Sequence, residues 1–146
     1  MTNEIVQTRR TRLLLSERLT TALAAVGIAS VFGVALWLDP DPRGFGTHQQ
    51  LGLPGCMFRS VTGLHCPHCG MTTSFCWFVR GNLRQSCRAN PSGLLLAVAS
   101  VLLLPWFVAV TLKGDWFGIR DPGRIFTTGF GIWLLLSVVL WLFRIA

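Results

Sequence analysis

The chain has 146 residues, of which 51% are hydrophobic and 13% charged, with a formal charge of +7 and a mean hydropathy of +0.54. A soluble domain carries about 25% charged residues, so the composition excludes an ordinary water-soluble core and predicts one all-α domain, a polytopic helical membrane protein. Twelve of the thirteen basic residues are arginines set between apolar blocks, which points to anionic headgroups of the lipid bilayer as their counter-charge and argues against nucleic acid as a partner.

Residues 1–18 form a basic tail with Arg9, Arg10, Arg12 and Arg18. The stretch 19–38 then carries no charge and has about the 20 residues that cross roughly 30 Å of hydrocarbon. It is longer than the apolar part of a signal peptide, about 7–15 residues, and so reads as an uncleaved first span. Ala25, Ala29 and Gly33 recur every four residues on one face of it, which suits close approach of a second copy or of another membrane protein, although small residues are common in membrane helices anyway.

Asp39-Pro40-Asp41-Pro42 opens a polar loop over residues 39–90 that holds the cysteine motif. Within it Met71, Phe75, Phe78 and Val79 fall at i, i+4, i+7 and i+8, the pattern of a short amphipathic interfacial helix over about residues 70–80, with Thr73, Arg80 and Arg84 on its polar side. At about 18 Å it is too short to span and should lie along the surface or dip in and return. Asn90-Pro91 supplies a cap and a proline at the first helical position for a second span over 91–112, with a kink expected at Pro105. Asp121-Pro122 repeats that signal for a third span over 122–144. Trp37, Trp116 and Trp141 sit near span ends, where an indole suits the interface.

Three spans put the motif loop on the face opposite the N-terminus. The basic residues divide seven against six between the two faces, and the tail beside the first span points to a cytoplasmic N-terminus and an exported motif in a multi-pass protein of the cell membrane. No charge lies inside a span, which argues against an ion or proton path through the helices.

The chemistry is concentrated in Cys66-Pro67-His68-Cys69-Gly70. As half of a metal knuckle, Cys66 and Cys69 would grip one ion, zinc or iron, with Cys56 as third ligand and His68, or His65, as fourth. As a dithiol, the same tetrapeptide would exchange disulfides if Pro67 opened a helix under Cys66, with Cys66 and Cys69 then the catalytic pair of a membrane thiol oxidoreductase. A structural disulfide from Cys56 is a third option, and a subunit that only assembles with other membrane proteins is a fourth. Cys76 and Cys87 read as packing residues and His48 as a solvated side chain. Arg80, Arg84 and Arg88, spaced by four, read as contacts to lipid phosphates or another anion.

The run Cys56, then Thr62-Gly63-Leu64-His65-Cys66-Pro67-His68-Cys69-Gly70-Met71-Thr72, then Arg80-Gly81-Asn82 and Arg88-Ala89-Asn90-Pro91, resembles a family of small bacterial membrane proteins known as a domain of unknown function. The resemblance covers roughly residues 53–96 and implies a membrane protein of several helices, with no reaction attached. Thr73 stands where that family usually has arginine and Asn82 where it often has aspartate, so any charge pair between those positions is lost here.

Overall fold

The computed structural model describes residues 13–145 apart from Gly118 and Arg120. The expectations placed on Arg9, Arg10, Arg12 and Arg120 lie outside the described residues. The architecture is all-helical: α1 (Leu15–Trp37), a 3-10 turn (Thr47–Leu51), α2 (Met57–Thr62), α3 (Met71–Val79), α4 (Leu83–Ala89), α5 (Pro91–Lys113) and α6 (Pro122–Ile145). Helices α1, α5 and α6 are long and apolar enough to cross a membrane; at 1.5 Å per residue each is about 35 Å long. Large apolar side chains along them, such as Leu23, Leu102 and Leu135, are exposed, as suits helices covered by lipid tails rather than water.

Helix α1 begins at Leu15, inside the expected polar tail, because the Glu17 carboxylate accepts the Leu14 N–H at 2.8 Å and caps the first turn. It packs antiparallel on α5 through small residues. Thr111 donates a hydrogen bond to Thr21 at 2.9 Å, and Ala25, Ala35, Ala97 and Val110 are buried along the helices. The face that α1 turns to its own chain therefore runs through Thr21, Ala25 and Ala35. Ala29 and Gly33, two of the three small residues expected to share that face, are exposed. Pro105 lies inside α5, which continues through it to Lys113.

The short helices fill the end of the bundle beyond the C-terminus of α1. Phe75 and Cys76 of α3 pack with Ala35, Leu38 and Ala97, and Met71, Phe78, Val79, Phe32 and Leu96 close around them. The apolar pattern of α3 thus faces α1 and α5, and the helix dips into the bundle. Its expected polar side is divided, with Arg84 exposed and Thr73 withdrawn from solvent. Thr73 is fully buried, and its hydroxyl meets that of Thr47 at 2.7 Å, because the loop after α1 folds over it. Asn82 caps α4 by accepting the Gln85 N–H at 3.1 Å. The two positions where the family pattern suggests a charge pair are therefore satisfied separately, one by Thr47 and the other by a helix end.

Arg80, read from the sequence as a contact to lipid phosphates or another anion, and two further arginines, Arg18 and Arg144, reach the carbonyls that neighbouring helices leave unpaired at their C-terminal ends. Arg80 donates to Ala35 O at 3.1 Å, Leu36 O at 3.3 Å and Leu38 O at 2.8 Å, closing the end of α1. Arg18 does the same for α5 through Thr111 O at 2.9 Å and Leu112 O at 3.3 Å. Arg144 of α6 reaches Ala89 O, at the end of α4, at 3.1 Å. Near the low dielectric of a bilayer, an unsatisfied carbonyl costs more than in water, and guanidinium forks cover several at once.

Candidate metal centre

The motif backbone is a turn held from behind. Cys69 N–H donates to Cys66 O at 3.0 Å, and Gly70, at φ 86°, precedes the first residue of α3. A Cβ at Gly70 would lie 2.4 Å from Gly44 O and 2.5 Å from Ala89 O, so both the left-handed backbone and the close approach require glycine. Helix α3 therefore starts after both cysteines. Pro67 sits in the turn and not at a first helical position, so the helix that a thioredoxin-like dithiol needs under its first cysteine is displaced to Met71.

Asn90 fixes this turn to α5. Its side-chain oxygen accepts the Gly93 N–H at 2.9 Å and the Ser92 hydroxyl at 2.6 Å, while its NH2 donates to Pro67 O and Cys69 O, both at 3.1 Å. All four bonding positions of the amide are used at a residue 1% exposed. Helix α6 braces the other side. Trp141 N–H bonds His65 O, Trp133 N–H bonds Ser92 O at 3.1 Å, and the Trp133 ring lies 5.9 Å from that of His68.

Cys56 arrives from a separate segment as the residue before α2 and completes a group of three sulfurs with Cys66 and Cys69, all within 4.8 Å of one another. All five cysteines are free thiols. In a tetrahedral zinc site, sulfurs at about 2.3 Å from the ion lie about 3.8 Å apart, a distance that small side-chain rotations reach from here. The environments of the sulfurs differ. The Arg59 backbone N–H aimed at Cys56 holds its thiol below the ordinary range, whereas burial pushes the Cys69 thiol up to about 11.

A cavity of about 660 Å³ opens beside the sulfurs, lined by all three cysteines together with Arg43, Arg59, His48 and His68. Arg43 is held by Asp41 at 2.7 Å. Arg59 lies 3.8 Å above the Phe45 ring, and its Nη1 is buried without a hydrogen-bond partner. The Nδ1 of His65 is also buried and unpartnered. Burial, together with the neighbouring Arg59 and Arg144 charges, lowers the His65 pKa.

Of the residues singled out in the sequence, Cys56, Cys66 and Cys69 are brought together, and His68 stays exposed against Trp133. Arg80 is committed to the end of α1, as described above, while Arg84 and Arg88 are exposed on α4. Cys76 is core, as expected, whereas Cys87 is exposed. Sequence reasoning missed Arg59 as part of the site, and its only signal was its place three residues after Cys56. It also read Asn90 as a helix cap alone, because the two carbonyls that its amide holds lie more than twenty residues away in the chain.

No curated protein and no solved structure matches the chain. Residues 56–104, about a third of the chain, match a family described as "Protein of unknown function (DUF2752)", a stretch that begins at Cys56, takes in the whole turn, α3 and α4, and ends within α5.

Proposed function

We propose that this chain is a membrane-embedded metal-binding module in which Cys56, Cys66 and Cys69 hold one zinc or iron ion at the membrane interface. One observation carries the reading: three free thiols from two separate segments converge within 4.8 Å on a turn whose backbone is tied down by Asn90, α6 and Gly70. A lone structural disulfide would use two of these sulfurs and leave no reason for the third. Thiolates suit zinc and iron better than hard cations; on the exported face of the cell membrane, the side taken here for the cluster, an oxidising environment favours disulfides, so the ion has to compete there with oxidation of the three thiols.

The test is the metal content of the full chain purified in detergent. The reading expects about one equivalent of zinc or iron per chain, lost in Cys56→Ser, Cys66→Ser and Cys69→Ser and kept in Cys76→Ser and Cys87→Ser. Metal-free protein with three rapidly alkylated thiols refutes it. A mixed disulfide trapped through Cys66 in Cys69→Ser supports instead the thiol oxidoreductase reading.

A further inference from the structure

The metal site has three protein donors, whereas zinc takes four. Among the described residues no histidine, aspartate or glutamate joins the three sulfurs. The His65 ring stands edge-on to Phe45, 5.7 Å away, and His68, which also lines the cavity, has its ring 5.9 Å from that of Trp133 and outside the group of three sulfurs. Three protein ligands plus an open position is the pattern of zinc sites that bind a ligand from outside, in contrast to closed structural sites. The open side here is the cavity of about 660 Å³, far more room than one water needs.

The lining of that cavity specifies the charge of what enters. Its ionisable residues include two arginines and no carboxylate. Arg43 is already neutralised by Asp41. Arg59 has no ion pair among the described residues, and its buried Nη1 points no N–H at any acceptor. Buried guanidinium donors are rarely left unmade, and the partners that satisfy them best are carboxylate and phosphate oxygens, taken two at a time. Three thiolates on a divalent ion leave one negative charge, which Arg59 offsets, so an anion is tolerated beside the metal only while that guanidinium is present.

We infer that the fourth position of the metal takes a phosphate-type oxyanion, one oxygen on the ion and another on Arg59. The inference rests on the metal reading above. Such a group exists free in water and on lipid headgroups. A second, apolar cavity of about 490 Å³, lined by Val31, Val34, Leu51, Leu53 and Phe75 among others, shares His48, Met71 and Thr72 with the first and offers a lipid tail a place beside a headgroup at the metal.

Cobalt(II) in place of the native ion reports its ligands by its visible absorption. The full chain in detergent is loaded with cobalt and titrated with inorganic phosphate; in a second arm, the loaded chain is placed in nanodiscs containing phosphatidic acid or phosphatidylcholine. The site is expected to change its absorption saturably with phosphate, or with phosphatidic acid and not phosphatidylcholine, and the responding arm identifies the source. In Arg59→Gln the apparent affinity should fall about tenfold or more, with partial recovery in Arg59→Lys, cobalt content being measured on each sample. Cobalt bound with no response in either arm, an undiminished response in Arg59→Gln, or loss of a ligand from the cobalt spectrum in His65→Ala or His68→Ala overturns the inference alone. Failure to bind cobalt in wild type overturns the metal reading and this inference with it.

Discussion

Asn90→Ala is the substitution in which the link between fold and site is most exposed. The side chain caps α5 through Gly93 N–H and simultaneously donates to Pro67 O and Cys69 O. Losing the cap costs about 1 kcal/mol. The two carbonyls, buried behind the turn, each lose a donor, and an unsatisfied buried acceptor costs about 1–3 kcal/mol. The sum is about 3–7 kcal/mol, concentrated where the turn meets α5 rather than spread over the bundle. Asn90→Asp separates the two parts: its carboxylate keeps the cap but offers no donor and places an anion against two carbonyl oxygens. Thermal unfolding in detergent, followed by helix signal, should show Asn90→Ala and Asn90→Asp both destabilised. Differential alkylation of Cys56, Cys66 and Cys69 should show the three thiols losing their protection in both variants, well below the temperature at which α1 and α5 unfold. Thiol protection unchanged in Asn90→Asp would refute the claim that the amide donors hold the turn.

Other substitutions probe the same architecture. Gly70→Ala places a Cβ 2.4 Å from Gly44 O in a left-handed backbone and should abolish accumulation of folded protein, measured by detergent size-exclusion of the expressed chain. Arg80→Gln removes the donors that close α1 at Ala35, Leu36 and Leu38 and should lower stability by about 2–3 kcal/mol, with partial recovery in Arg80→Lys; an exposed headgroup anchor would instead leave detergent stability unchanged. For the metal-free chain, thiolate is the reactive form. Cys56, held below the ordinary thiol range, should therefore be alkylated at lower pH than Cys69, which stays protonated until about pH 11. Mass spectrometry of alkylation against pH reads the order directly.

Much of the fold is legible because membrane helices announce themselves. Uncharged runs of the right length mark α1, α5 and α6, Asn90-Pro91 marks where α5 begins, and the spacing of Met71, Phe75 and Phe78 marks the buried side of α3. The start of α1 was harder to see, since the Glu17 cap lies inside what composition presents as a tail. The place of Arg80 is not legible for a physical reason. Charge next to an apolar run has two uses, phosphate outside or helix carbonyls inside, and only the positions of the neighbouring helix ends decide between them. Thr73 was misplaced in the same way, because its partner Thr47 comes from a loop whose course no periodicity predicts. At the site, the cysteines were legible as a group, whereas the turn at Pro67 was not: Gly70 delays α3 past both cysteines because two carbonyls, from Gly44 and Ala89, press against it.

X-ray absorption at the metal edge of the zinc- or iron-loaded chain tests the central claim most directly, since it counts the atoms around the ion. Three sulfurs at about 2.3 Å and one lighter atom at about 2.0 Å are expected, with the ion, and so the edge signal, lost in each of Cys56→Ser, Cys66→Ser and Cys69→Ser. A shell of oxygen and nitrogen alone, or a sulfur count that survives Cys56→Ser, would contradict a centre built by Cys56, Cys66 and Cys69 together.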